Sequence, residues 1–218
     1  MTTLAACFMD ESYRLIDEPA REQSENDIVG RALEGDASAF REIYLTYRSQ
    51  VYKIAARMVL NEADREEVTQ DTFLQIFRSL KNFQGISSLS TWIHRVTINV
   101  ALQHIRRKKS RVSLQLGHPQ TEVAEVQLDS SRHKTPEEGT LQAEQRAAVE
   151  RGLARLSPKK RAVLILYDFE GLSAKEVSKI VNASVLTVRT RLFYARRELY
   201  QYLSREPSCV DIGIEEDQ

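Results

Sequence analysis

The chain has 218 residues, of which 42% are hydrophobic and 28% are charged, and its 31 basic residues balance its 31 acidic ones. This length can bury one core or two small ones, and five prolines and eight glycines argue against a repeat-rich or all-β chain. The sequence has no apolar run long enough to cross a bilayer and no basic-then-apolar leader, so we expect a soluble cytoplasmic protein.

The cysteines and histidines show no pattern of metal or disulfide chemistry. Cys7 and Cys209 lie in polar tails, so no disulfide framework is indicated. The four histidines are scattered without ligand spacing: His94, His104, His118 and His133. There is also no glycine-rich phosphate loop and no nucleophile elbow. We therefore expect no metal, no cofactor, no small-molecule substrate and no catalysis, although His94 and His104 could contact phosphate.

The chain begins with a weakly patterned acidic stretch. Residues 1–25 contain Pro19 as a breaker and predict a flexible extension. Asn26 or Asp27 can cap a first helix that ends at Gly35. Asp36 or Ser38 then opens a longer helix, in which apolar residues recur at three- and four-residue intervals as far as Met58.

The third predicted helix, roughly 63–80, starts at Asn61 or Asp64 and has two unlike faces. Its inward stripe is predicted to contain Val68, Phe73, Ile76, Phe77 and Leu80. Its outward face is acidic and polar and comprises Asp64, Glu67, Gln70, Asp71 and Gln75. Such a face either only solubilises the helix or docks on a basic protein.

A long stretch without acids follows. Residues 72–121 contain no Asp or Glu but eight Lys or Arg, which favours a polyanionic partner. A loop over 81–90 leads to a helix that is capped by Ser90 or Thr91 and continues through Lys109. Trp92 and Phe83 either pack in a core or offer rings on which bases stack. Along the helix Arg95, Asn99, Gln103, Arg106 and Arg107 lie away from the core stripe.

The second half of the chain begins after a linker. Residues 112–140 lose the helical pattern and predict a partly extended connection, and 141–205 regain it. Ser173 and Glu176 form a capping box, and Asn182 suits a tight turn. Residues 206–218 form a second acidic tail.

Two short helices around Asn182 predict a helix-turn-helix, in which the second helix enters the major groove. The alternative is an ordinary helical hairpin with a basic face. The second helix starts near Leu186 or Thr187, and Val188, Leu192, Ala195 and Leu199 face inward. Its predicted exposed residues are Arg189, Thr190, Arg191, Tyr194, Arg196 and Arg197.

Two segments together carry a family resemblance. The segment 63–109 resembles region two of bacterial sigma factors of the extracytoplasmic-function group. The resemblance is carried by Asp64, Glu67, Gln70, Asp71, Phe73, the Asn82-Phe83-Gln84-Gly85 run, Thr91-Trp92-Ile93, Arg95 and Asn99. The segment 156–199 resembles region four of the same group. The resemblance is carried by Leu156-Ser157-Pro158, Arg161, Gly171-Leu172-Ser173, Glu176-Val177, Thr187-Val188-Arg189 and Ala195-Arg196-Arg197.

The resemblance implies an all-α fold of two small helical domains, 26–111 and 141–205, joined by a flexible linker. It further implies a sigma factor that binds the clamp and flap of core RNA polymerase, recognises promoter DNA and has an anti-sigma partner. The implied polymerase contacts are Asp64, Glu67, Gln70, Asp71 and Phe73. The implied minus-ten contacts are Phe83, Trp92, Arg95, Asn99, Gln103, Arg106 and Arg107. The implied minus-thirty-five contacts are Thr187, Arg189, Thr190, Arg191, Tyr194 and Arg197.

Three positions depart from the family pattern. Ile86 stands where an acidic residue usually follows the loop glycine, Leu186 replaces a common glycine, and Tyr194 replaces a frequent arginine. Two other classes of function are weighed from the sequence. One is a stand-alone helix-turn-helix regulator. The other is a polymerase-bound or RNA-binding protein without a promoter role, or an enzyme that acts on nucleic acid.

Overall fold

The computed structural model describes residues 18–116 and 141–209, with side chains over 25–111, 144–207 and 209. Within these ranges the chain forms eight α-helices and no β-strand. The first half contains α1 (Glu18–Leu33), α2 (Ala37–Met58), α3 (Glu62–Ser79) and α4 (Leu89–Leu116). The second half contains α5 (Leu141–Arg155), α6 (Pro158–Leu164), α7 (Ala174–Ile180) and α8 (Val185–Leu203). The predicted all-helical fold is confirmed, and most of the predicted linker, 117–140, lies outside the described residues, as do 1–17 and the tail after Cys209.

The first four helices pack around one apolar core. Ile43 and Val51 from α2, Ile76 from α3 and Ile93 from α4 are fully buried in it. The helix starts follow from local hydrogen bonds: Asp36 accepts from the Ser38 amide, and Asn61 accepts from the Asp64 amide. Amphipathic periodicity and caps therefore define this bundle, as the sequence predicted.

The start of α1 differs from the prediction. The helix begins at Glu18 rather than near Asn26, and Pro19 occupies its first turn, where a missing N–H costs nothing. Glu25 is buried, and its carboxylate accepts hydrogen bonds from the Tyr47 hydroxyl at 2.8 Å and the Leu89 amide at 2.9 Å. Helix α1 thus belongs to the fold from Glu18 onward, and the Glu25 carboxylate ties it to α2 and α4.

Three further predictions about single residues are wrong. Phe77 is 66% exposed instead of buried, and its ring packs edge-on against Phe40 with centroids 5.0 Å apart. Cys209 is buried beneath the end of α8 rather than lying in a polar tail. Helix α4 starts at Leu89, two or three residues earlier than predicted: Ser88, not Ser90 or Thr91, accepts from the Thr91 amide.

The second half is a compact set of helices around α8. The predicted capping box of Ser173 and Glu176 is present, and Asn182 adopts the predicted left-handed conformation with φ 48°. Helix α5 crosses α8 very closely at Gly152, where an added Cβ would lie 2.5 Å from Leu199 Cδ1. Leu153, Leu164 and Leu203 are at most 1% exposed in this core.

The two halves pack against each other through a shared apolar cluster. Met58, Ile98 and Ala101 from the first half join Val149 and Leu166 from the second in one group of buried residues. Each Å² of apolar surface that this cluster removes from water stabilises the contact by about 25 cal/mol. A pattern confined to either half cannot reveal this junction, because periodicity shows which side of a helix is buried but not which distant segment covers it.

Buried charges fix the geometry of the junction. Glu170, which follows α6, forms an ion pair with Arg57 of α2 at 3.0 Å, and its other carboxylate oxygen lies 3.4 Å from Nε2 of His94 of α4. Burial raises the pKa of the Glu170 carboxyl, but the hydrogen bond from His94 and the charges of His94 and Arg57 outweigh it, so the pKa lies below its ordinary value. Burial lowers the pKa of Arg57.

A second arginine joins the halves without a carboxylate. Arg161 is 8% exposed and donates to the Met58 carbonyl at 2.6 Å and to the Ala154 and Leu156 carbonyls. Burial without a negative partner lowers its pKa to about 10. The guanidinium therefore supplies donors to the end of α2 and the end of α5 at once.

Candidate nucleic-acid interface and polymerase-docking face

The acidic face of α3 is retained, but its residues differ in exposure. Glu67 and Gln70 are exposed, and Asp64 and Asp71 are half-buried. Phe73, predicted as a polymerase contact, is only 6% exposed and packs against Tyr44 with ring centroids 4.6 Å apart. Phe73 therefore supports the face from beneath, while exposed Leu74 and Phe77 add apolar surface beside it.

The N-terminal end of this face is tied to α4. His104 lies between Asp64 at 3.3 Å and Glu67 at 3.6 Å, and the Lys108 ammonium pairs with Asp64. The ligand atoms of Asp64, Glu67 and His104 lie within 4.8 Å of one another, so these groups could hold a cation. The sequence showed no ligand spacing here because the three residues come from two helices. The prediction that His104 could contact phosphate is unsupported, since carboxylates surround it.

The predicted minus-ten residues form a continuous polar face on α4. Arg95, Asn99, Gln103, Arg106 and Arg107 are all exposed. Trp92 and Phe83 are half-buried at the N-terminal end of the face, with their rings edge to face at 5.7 Å. Both rings also pack on the first core, as one interpretation of Trp92 predicted, and both remain partly exposed. His94, in contrast, is buried in the junction and does not reach this face.

The two predicted DNA-binding surfaces meet at a cavity. A space of about 330 Å³ lies between the halves, and Asn99 and Arg106 from α4 face Lys159, Asn182 and Arg191 from the second half across it. Among the residues that the structure describes, no carboxylate lines this cavity. Arg191 is half-buried there, apart from the other predicted minus-thirty-five residues.

Helix α8 presents its predicted face outward. Val188, Leu192, Ala195 and Leu199 are buried, as predicted. Arg189, Thr190, Tyr194 and Arg197 are exposed, and Thr187 is half-buried. Arg196 is not a free cation, since it pairs with Asp168.

The sequence did not single out the residues that join the halves. Arg57, His94 and Glu170 come from α2, α4 and the turn after α6, and no spacing along the chain brings them together. The sequence indicates Arg161 only as one of the residues that resemble region four. Within the described ranges, no helix combines the length and apolarity that crossing a membrane requires.

The fold and these surfaces define a two-part helical protein with an exposed acidic face on α3 and exposed basic residues on α4 and α8. Residues 43–111 match the family Sigma-70 region 2, and residues 146–199 match Sigma-70, region 4. The RNA polymerase sigma-H factor of Pseudomonas aeruginosa is 29% identical over 82% of this chain and 93% of its own length. The ECF RNA polymerase sigma factor SigE of Mycolicibacterium smegmatis is 31% identical over 80% of this chain and 66% of its own.

Solved structures share the fold. The sigma factor RpoE of Bartonella quintana, in complex with the anti-sigma factor NepR, superposes with a TM-score of 0.58 at 20% identity over 77% of this chain and 98% of that one. CnrH, in complex with the cytosolic domain of CnrY, gives 0.57 at 21% identity over 83% and 97%. The chain belongs to the extracytoplasmic-function sigma factors, which confirms the family and the promoter-specificity function expected from its sequence.

Proposed function

We propose that this sigma factor divides its work among three surfaces. The exposed acids of α3 dock on the clamp of core RNA polymerase, α4 with the preceding loop holds the unpaired minus-ten strand, and α8 reads the minus-thirty-five element in the major groove. The observation that carries the proposal is the polar face of α4. From Arg95 to Arg107 it offers cations and amides with no Asp or Glu, and the rings of Phe83 and Trp92 lie at its N-terminal end.

The chemistry of each surface fits its role. Holding an unstacked base requires an aromatic or amide group and costs roughly a few kcal/mol, which Asn99 and Trp92 can offset. Reading a duplex requires a rigid helix with exposed cations, which Arg189 and Arg197 provide on α8. The two elements lie roughly 25 base pairs apart, about 85 Å at 3.4 Å per pair. The halves must therefore separate when both elements are bound.

An anti-sigma protein is part of the proposal. Two proteins of similar fold were solved with an anti-sigma factor or with the cytosolic domain of another protein. In this chain the exposed Leu74 and Phe77 beside the acidic face give such a partner an apolar surface, which the polymerase would also use.

The direct test is transcription in vitro with core polymerase on a promoter library, with and without this chain. We expect new start sites with common elements near minus ten and minus thirty-five. A chain that neither co-purifies with core polymerase nor directs it to any start site would rule the proposal out.

The docking face has its own test. Reversing charge at Glu67 and Asp71 (E67K with D71K) should lower affinity for core polymerase roughly tenfold or more, because like charges would then face a basic partner. The matched control is Glu42→Lys, an exposed acid on α2, which should bind normally. Unchanged affinity in the double variant would remove this face from the docking surface.

A further inference from the structure

The outward side of α8 is only partly polar. Leu186, Thr190, Phe193 and Arg197 recur at spacings of four, three and four residues, so they share the side of the helix opposite the buried stripe. Leu186 is 75% exposed and Phe193 is 59% exposed. Leu186 therefore places an aliphatic side chain on the outer side of the first turn of α8.

The hydroxyls near the start of α8 are already engaged. Ser184 accepts from the Thr187 amide at 3.1 Å, and the two hydroxyls of Ser184 and Thr187 bond each other at 2.8 Å. The Thr190 hydroxyl donates to the Leu186 carbonyl at 3.0 Å. The helix cap and the first turn thus occupy two of the side chains that the sequence predicted as base readers. Leu186 is the exposed side chain left in this turn.

The position of Leu186 decides what it can contact. The N-terminal residues of a recognition helix approach base edges in the major groove, and an aliphatic side chain there has one favourable base partner, the C5-methyl group of thymine. Arg189, one turn further on, is exposed on the same side and can bond a guanine.

We propose that Leu186 is a specificity-determining residue that selects a thymine in the upstream promoter element through contact with its methyl group. This inference rests on the proposed function, since it requires α8 to bind that element. It adds a requirement that no charged residue of α8 supplies: one position of the element must be T, and deoxyuridine, which pairs identically but lacks the methyl, must be a poorer substitute.

The experiment uses holoenzyme assembled from core polymerase and the full chain. The preferred upstream element is first selected from a randomised promoter library, and each of its thymines is then replaced singly by deoxyuridine. At one thymine, closed-complex affinity should fall about three- to fivefold, the effect of losing one buried methyl contact. Leu186→Ala should bind the parent promoter three- to fivefold more weakly and should be indifferent to deoxyuridine at that position.

Two variants make the result specific. Leu186→Met keeps an apolar side chain and should retain the deoxyuridine effect. Leu45→Ala removes a comparably exposed leucine, 61% exposed on α2, and should behave as the parent chain does. Both Leu186 variants should keep the parent's helical content, because this residue is 75% exposed and lies outside the buried stripe of α8.

The failures are distinguishable. If holoenzyme selects an upstream element but no thymine in it responds to deoxyuridine, or if Leu186→Ala responds as the parent chain does, the role of Leu186 is overturned and the proposed function stands. If holoenzyme selects no upstream element, the proposed function fails and the role of Leu186 fails with it.

Discussion

Helices α4 and α8, the two proposed DNA-binding helices, both have exposed cations, but they are supported differently. The buried side of α8 packs mainly within its own half, against α5, α6 and α7. Helix α4 is shared: Ile93 lies in the first core, while Ile98 and Ala101 lie in the cluster that joins the halves. The face of α8 is therefore complete whether the two halves are packed together or separated. The face of α4 depends on where the second half lies.

This difference explains what the sequence could and could not predict. The pattern of α8 is local, so its buried stripe, the capping box before it and Asn182 were all predicted correctly. The junction depends on contacts between distant segments, such as Arg57 with Glu170, for which neither periodicity nor spacing gives a signal. Glu25 was misassigned for the same reason, because its partners Tyr47 and Leu89 lie on other helices.

The largest expected effect comes from breaking the junction at Arg161. Arg161→Leu removes the hydrogen-bond donors of the Met58, Ala154 and Leu156 carbonyls. The loss should lower the free energy of unfolding by about 2–4 kcal/mol. The variant no longer buries a charge, so the desolvation cost of the guanidinium offsets part of this loss. Urea unfolding measures it. The control is Lys160→Ala, whose partner Glu198 is largely solvated and which should change stability by about 0.5 kcal/mol at most. Equal effects of both variants would contradict the anchoring role.

Single substitutions on the two faces should sharpen the contrast between α4 and α8. Asn99→Ala should lower open-complex formation more than closed-complex binding, because an amide that holds an unpaired base acts only after melting. Arg189→Ala should instead weaken closed-complex binding by about 1–3 kcal/mol and relax preference in the upstream element. Permanganate footprinting and filter binding separate the two steps. Equal loss at both steps for Asn99→Ala would make that residue purely structural.

Glu170 gives the junction a dependence on pH. Its pKa is depressed in the folded chain, so its stabilising contribution is complete above its ordinary pKa of 4.5 and is lost as the pH falls through the lower folded value. Glu170→Gln should remove about 1–2 kcal/mol near neutral pH, because Arg57 and His94 lose their charged partner.

The difference between the parent chain and Glu170→Gln should shrink on acidification below pH 4.5. Thermal unfolding of both chains from pH 3 to pH 7 measures this difference directly, and acids elsewhere in the chain cancel in the comparison. A difference that is constant over this range would show that the Glu170 carboxylate is not linked to folding.

The smallest expected effect concerns the support of α8 alone. Gly152→Ala brings a Cβ to 2.5 Å from Leu199 Cδ1 and 2.8 Å from Tyr202 Cδ1. Overpacking of this kind costs about 1–3 kcal/mol, and the better helix propensity of alanine returns up to about 1 kcal/mol. A net loss of about 1 kcal/mol should weaken binding to the upstream element without changing melting at minus ten. Gly30→Ala, with open space at its Cβ on α1, is the control and should be neutral or slightly stabilising.

The central claim is that one chain brings two DNA-reading helices to two separated promoter elements. Fluorescent labels placed through unnatural amino acids at exposed Ser49 of α2 and Gln201 of α8 report the separation of the halves by energy transfer. We predict high transfer in the free chain and low transfer in promoter-bound holoenzyme, where the two elements lie about 85 Å apart along the duplex. Equally high transfer in free chain and transcribing holoenzyme would contradict the account.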